Sequence, residues 1–363
     1  MTRTKSILFL CPYPIGQSPS QRFRFEQYFS LLQEAGFRIV VKPFFSEKTW
    51  SILYHHGKYL QKMVGMSRGF ISRIIVLFSI SKFDFVFIHR EATPVGPPFI
   101  EFVIAKILKK KIIYDFDDAI WLSNTSSENK IAACLKWHSK VKSICRWSYK
   151  ISGGNDYLRD FALQFHKHVI LNPTTIDAEN LHNPALFKKI KESDRIIIGW
   201  TGTHSTLKYL ELLEPVMKTI EEKFTNQINF LVIADKRPSL KIQSLQFLPW
   251  SKETEIEDLM KIDIGLMPLT DDLWAKGKCG FKALQYMALA IPAITTPVGV
   301  NTKIIDHGKD GYLCFTEREW ETCLEKLIKD KSLREQIGRN GRKKIIKDYS
   351  VLSNSPNFLS LFS

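Results

Sequence analysis

Gly277-Lys278-Cys279-Gly280-Phe281-Lys282-Ala283-Leu284-Gln285-Tyr286-Met287-Ala288, running on to Pro292, is a glycine-punctuated basic loop that turns into a short helix. The first turn of a helix presents unpaired N–H groups at the positive end of its aligned peptide dipoles. Anions settle there, and Lys278 and Lys282 add cationic donors. Helical spacing puts Phe281, Leu284, Met287, Ala288 and Ile291 on one apolar face, with Lys282, Gln285 and Leu289 on another, so Lys282 and Gln285 are expected to meet one ligand. Strand-like runs flank the segment, Ile262 to Met267 before it and Ala293 to Thr296 after it, which makes it the crossover of a parallel strand, helix, strand unit.

That unit recurs along the chain. Ile7 to Cys11 reads as a strand closed by Pro12-Tyr13-Pro14 and the loop to Ser20. A helix follows through Phe23, Tyr28, Leu31 and Leu32 to Ala35-Gly36, and then a strand from Phe37 to Val41. Phe85–His89 and Lys111–Tyr114 are further strands around an apolar crossover, Phe99 to Leu108. After the polar stretch Asn183 to Asp194 a second series begins: strand Ile196–Trp200, helix Leu207–Phe224, strand Asn229–Ala234, then the opening segment and a helix Glu317–Lys329. The expected fold is α/β with two Rossmann-like, doubly wound domains facing across a cleft. Residues 1–182 would form the first, 183–195 a connector and 196–338 the second. A basic C-terminal tail, 339–363, would pack back on the first domain.

The 363 residues, 44% hydrophobic and 25% charged, suffice for two substantial cores. A net charge of +15 and a pI near 9.4 call for a polyanionic partner: nucleic acid, an anionic membrane surface or a phosphorylated substrate. Nucleic acid lacks any RNP, zinc or helix-turn-helix signature. The six cysteines (Cys11, Cys134, Cys145, Cys279, Cys314, Cys323) show no metal-ligand spacing and read as reduced thiols in a cytoplasmic setting. The apolar start, Ile7 to Cys11, is cut short by Pro12 and Pro14 and reads as a buried strand rather than a signal peptide. The longest later apolar run, Ile74 to Ile80, is far below the ~20 residues of a spanning helix, so no membrane crossing is expected. Lys48 to Lys82 interleaves aromatic and basic residues, a pattern that fits either an anionic membrane surface or an amphipathic helix covering the first sheet.

Four motifs follow one another in the second half: Gly199-Trp200-Thr201-Gly202-Thr203 with Lys208; Asp263 to Leu269; Lys278 to Ala288 with Pro292; and Pro297-Val298-Gly299 to Gly308 and Gly311. In this order they resemble the donor domain of GT-B glycosyltransferases of family 4. A weaker likeness extends to the N-terminal loop and to Asn172-Pro173-Thr174-Thr175-Ile176-Asp177. The resemblance implies a metal-independent, retaining transferase that uses a nucleoside-diphosphate sugar as co-substrate and no cofactor. Gly202, Thr203, Lys278 and the Cys279-Gly280-Phe281 backbone would bind the donor, and Lys208 and Lys282 would stabilise charge growing on the departing diphosphate. Relatives carry glutamates where this chain has Gly277 and Gln285; Gln285 would still hydrogen-bond a ribose hydroxyl through its amide. The arginine that often accompanies the lysine has no counterpart, since Trp200 follows Gly199.

The acceptor side rests on the first domain. Gly16 lies in the loop beside the acceptor, and Arg22 and Arg24 are expected to grip a phosphate of a lipid-linked acceptor. His89 and Arg90 close one strand and Asp117 and Asp118 follow another, all at the same sheet edge. A DxD after a strand also suits a divalent cation, as in GT-A transferases, but those lack a second Rossmann-like domain, and no metal is expected. The acids would organise the cleft, contact the acceptor or cap the next helix. The reading is sugar transfer to a hydroxyl of a glycan or lipid-linked saccharide in surface polysaccharide synthesis, in the cytoplasm and peripheral on the inner face of the plasma membrane. Its rivals are a GT-B epimerase or phosphorylase-like enzyme and a catalytically degenerate GT-B scaffold subunit.

Overall fold

The computed structural model describes residues 4–53, 55, 57–123, 136–187 and 194–363. Cys134 and residues 188–193 of the polar stretch lie outside the described residues. The chain forms two compact units: residues 1–174 with 354–363, and residues 175–353. Residues 175–182 and 339–353 thus group with the second unit, and the last ten residues with the first.

The first unit is built on six parallel strands: β1 (Ser6–Cys11), β2 (Arg38–Pro43), β3 (Phe85–His89), β4 (Lys111–Phe116), β5 (Lys150–Gly153) and β6 (Val169–Leu171), in spatial order β2-β1-β3-β4-β5-β6. β1 and β3 are buried along their whole length, as central strands covered on both faces should be. Phe9 on β1 packs against Phe25 and Phe87 at ring distances of 5.3 and 4.9 Å. The C-terminal residues complete this core: Phe358 stacks on Tyr28 at 4.1 Å, and Asn357 donates to the Leu171 carbonyl at 2.9 Å. β5 and β6 escape a sequence reading because they are short.

Between β2 and β3 runs α1 (Tyr59–Ser79). With the turn that extends it to Lys82 it is long and apolar enough, by length and composition, to cross a membrane, in contrast to the expectation from the shorter run Ile74–Ile80. Its inner face is held on the unit by Gly65 and Gly69, whose missing side chains would collide with Thr49 and Phe44 at 2.4 and 2.5 Å. Arg73, fully buried, donates to the carbonyls of Cys11, Lys42 and Ala92. Burial outweighs the carboxylate and thiol nearby and lowers the pKa of its guanidinium to about 10.

The second unit repeats the plan with β7 (Ile196–Gly202), β8 (Ile228–Ala234), β9 (Leu245–Pro249), β10 (Ile264–Met267), β11 (Ala293–Thr295) and β12 (Tyr312–Leu313), all parallel, in the order β12-β11-β10-β7-β8-β9. The core includes Trp200, Leu210, Met217, Phe230, Trp320 and Leu324. The expected single helix over 207–224 is two, Leu207–Glu211 and Glu214–Lys223, because Pro215 has no N–H to continue the first and suits the opening turn of the second. The expected tail at 339 is the end of a helix, Lys331–Lys344. Its Arg342 donates to carbonyls of Ala178, His182 and Ala288 and so ties residues 178–183 to this unit.

Candidate functional site

Each sheet has one topological switch point, where strand order reverses and the loops leaving two neighbouring strands run to opposite sides. Ligands of open α/β sheets bind there, beyond the C-terminal strand ends. In the second unit the reversal lies between β7 and β10, and in the first between β1 and β3.

Beyond β7, Gly202 and Thr203 lead into a turn in which the Thr203 N–H donates to the Thr206 hydroxyl at 3.2 Å. Gly202 is required sterically: a Cβ would lie 2.3 Å from the Trp200 ring and 2.8 Å from that hydroxyl. Beyond β10, α2 (Leu273–Lys276) is capped by Asp272, which accepts from the Ala275 N–H, and the loop Gly277–Gly280 leads into α3 (Phe281–Ala288). Gly280 enters α3 with φ +69°, and its missing Cβ would sit 2.1 Å from Ile304 Cδ1, so both backbone and space demand glycine. The Tyr286 hydroxyl accepts from the Thr201 N–H at 3.0 Å and donates toward the Leu266 carbonyl at 3.4 Å, pinning α3 across the two strands of the switch point. Gly265 lets that ring lie flat on β10, where a Cβ would be 2.4 Å from it.

The expected donor-side cations arrive at this edge. Lys282 Nζ lies 5.3 Å from the Trp200 ring centre and Lys278 Nζ 5.1 Å from Trp274. Lys208 is exposed, 5.1 Å from the Tyr209 ring, and its charge reaches Asp272. Burial pushes the Asp272 carboxyl up, but hydrogen bonds from Thr270 and the α2 amides, with Lys208, hold it below the usual range. Cys279 and Gly280 are buried, and Phe281 is half-buried. Gln285 departs from expectation. It is 2% exposed, and its amide donates to Glu255 Oε1 at 3.3 Å and approaches His182 Nε2 at the same distance. The structure brings it to these two side chains rather than to an open face beside Lys282.

In the first unit the loop after β1 is braced by its following helical turn: the Gly16 N–H donates to Glu26, and Gln21 holds both N–H and C=O of Tyr13. Burial raises the Glu26 carboxyl, against the pull of Gln21 and the Gly16 amide. Arg22 lies over the Phe23 ring at 4.9 Å. Arg24 corrects the sequence reading. It is buried, paired with Asp115, and donates to the Asn172 carbonyl and to Ser152 Oγ at 3.1 Å, so it braces β4, β5 and the segment after β6 rather than meeting a phosphate. Asp115 also takes the Nδ1–H of buried His89 at 2.7 Å. Burial pushes the Asp115 carboxyl up, but Arg24 and His89 outweigh it and hold it far below the usual range. With Nδ1 so engaged, His89 Nε2 lies buried without a hydrogen bond, 4.0 Å from Asp117 Oδ1.

Arg90, in a left-handed conformation at φ +59°, bridges Asp117 and Asp118 at 2.8 and 2.7 Å; its N–H donates to the Asp115 carbonyl, and its own carbonyl accepts from Tyr114 Oη. The two acids are thus engaged by one guanidinium, and among the described residues no group of three or more His, Cys, Asp or Glu is arranged to hold a metal ion. Sequence reasoning missed Asp115, Tyr286, Glu255 and His182. Their partners lie 20 to 103 positions away, a distance no local pattern spans.

Two parallel-sheet Rossmann-like units, each with polar residues gathered at its switch point, define the GT-B class of fold. Residues 183–344, within the second unit and just under half of the chain, match the family model described as Glycosyl transferases group 1. N-acetyl-alpha-D-glucosaminyl L-malate synthase of Bacillus anthracis is 23% identical over 169 residues, 44% of this chain; the match spans less than half, 43%, of that relative's length. Among solved structures, a glycosyltransferase of Rickettsia africae superimposes with a TM-score of 0.69 at 12% identity, covering 99% of this chain and 98% of its own. HepE of Anabaena, solved with UDP, gives 0.63 at 15%, covering 98% of each chain. Sucrose-phosphate synthase of Thermosynechococcus elongatus gives 0.67 at 11%, covering 99% and 98%. At these identities the likeness is one of fold.

Proposed function

We propose that the protein transfers a sugar from a nucleoside-diphosphate sugar to a hydroxyl of a glycan or lipid-linked saccharide, with retention at the anomeric carbon and without a metal, in the cytoplasm and in the synthesis of a cell-surface polysaccharide. The observation that carries the reading is the convergence of Gly202-Thr203, Lys208, Lys278 and the start of α3 with Lys282 on the switch point of a group 1 domain.

The diphosphate is taken at the positive N-terminal end of α3, and Lys208 and Lys282 neutralise the negative charge that grows as the C–O bond to the sugar breaks. Lys278 lies on the sugar side. The leaving phosphate oxygen accepts the acceptor's proton, so no separate base is required. Arg90 supports metal independence, because it already neutralises Asp117 and Asp118. On the acceptor side Arg22, His89 Nε2 and the Gly16 loop remain the candidates; Arg24 acts through Asp115 as a positioning residue. The rival of a degenerate scaffold is favoured by one observation, the burial of Gln285 against Glu255 and His182 where the resemblance calls for a ribose contact.

Calorimetry and thermal shift with UDP, GDP, ADP and TDP separate the readings. UDP is the first choice because HepE was solved with it. A nucleotide at 100 times its Kd stabilises by about 2.7 kcal/mol. A flat response to all four, with no change of cellular glycan on Lys282→Ala, refutes the catalytic reading. Isomerisation or phosphorolysis without an acceptor would replace it with the epimerase or phosphorylase alternative.

A further inference from the structure

A surface helix of a globular unit normally turns its apolar stripe inward and its charges outward. α1 does the reverse. The face held on the unit carries Gly65, Gly69, Arg73 and Val76, all buried. The outward face carries Leu60, Met63, Ile71, Ile74, Ile75 and Phe78, from 50% to 85% exposed. At 1.5 Å per residue this apolar ridge, from Leu60 to Phe78, is about 28 Å long. The short helix Phe99–Phe102 packs beside α1 and exposes Phe99 and Phe102.

Charge identifies the occupant. From Thr49 to Phe83 there is no Asp or Glu, while Lys58, Arg68 and Lys82 lie exposed along the ridge. Lys106 and Lys109, also exposed, follow the Phe99–Phe102 helix. Lys110 donates to the carbonyls of Ser81 and Phe83 at 2.9 Å each and so fastens this basic segment to the end of α1. An apolar ridge with a wholly basic rim matches a bilayer containing anionic lipid, in which the side chains enter the acyl boundary and the cations meet headgroups. A two-fold contact with a second copy would set the same basic rims against each other. Spanning is ruled out by the inner face, whose glycines and Arg73 are fixed to the carbonyls and side chains of the unit.

We infer that α1 is a membrane-docking ridge that lays the first unit flat on an anionic lipid surface. The inference stands apart from the sugar-transfer reading, since it uses none of those residues. Its test is co-sedimentation of the full chain with vesicles of phosphatidylcholine alone or in equal mixture with phosphatidylglycerol. The protein is expected to sediment with the mixed vesicles and to be released in part by high salt, which screens the basic rim. Ile74→Glu with Phe78→Glu should lower the bound fraction about tenfold, since the charges must leave the acyl boundary. Arg68→Glu with Lys82→Glu should abolish the preference for anionic lipid. Unchanged melting temperatures show that these exposed positions leave the fold intact. The inference is overturned if the unaltered protein ignores anionic vesicles, if Ile74→Glu with Phe78→Glu binds them equally well, or if light scattering finds a dimer that Phe78→Glu splits while no vesicle is bound.

Discussion

Asp115→Asn isolates the group on which the first unit's switch point rests. The carboxylate and its partner Arg24 are both buried, with side chains 1% and 0% exposed, and Ser152 and His89 complete the shell. Removing the charge leaves a guanidinium in a dry site with no counter-ion, which costs about 3–5 kcal/mol. For a unit of this size each kcal/mol moves the midpoint by about 2–4 °C, so scanning calorimetry should show a transition lowered by about 6–20 °C. The pH dependence has a definite sign. The folded carboxyl titrates far below its unfolded value of about 3.9, so its contribution is fully present above that value and is lost as pH falls toward the folded one. The gap between the two proteins attributable to Asp115 should therefore hold from pH 5 to 8 and close only in strong acid. Adding Arg24→Met, which removes the stranded charge, should recover part of the loss. A midpoint within about 2 °C of the parent would refute the argument that this pair braces the edge carrying His89.

Three further outcomes bear on the second unit. Lys282→Ala should lower kcat about 10²–10³-fold in a transferase assay while the protein melts as before, because its cation acts on charge that develops in the transition state; an unchanged kcat assigns Lys282 to the surface. Gly280→Ala forces a side chain into φ +69° and against Ile304, costing at least about 1–2 kcal/mol, and should weaken nucleotide binding in calorimetry by displacing the start of α3. Tyr286→Phe strands the buried Thr201 N–H and should destabilise this unit by about 1–3 kcal/mol in denaturant titration.

The outcome for Gln285 shows where sequence reading stopped. The two Rossmann-like units, eight of the twelve described strands and the start of α3 were legible because they rest on local signals: apolar runs of strand length, a glycine before a helix, prolines after strands. Helical spacing also correctly made Leu284, Met287 and Ala288 core residues. The same spacing set Gln285 beside Lys282, yet a helix face is defined only by what covers it, and here residues 178–183, drawn in by Arg342, and the Glu255 helix cover the flank that carries Gln285. Arg24 followed the same logic in the first unit, since an arginine after a glycine-containing loop looks like a ligand group until Asp115, 91 positions away, is known to face it. Gly202 and Gly280 stand where an added Cβ would collide with Trp200 and Ile304, a demand of close packing that a glycine signals locally. The side chains that moved were those able to find a buried counter-charge or amide partner, and that choice is made by tertiary packing.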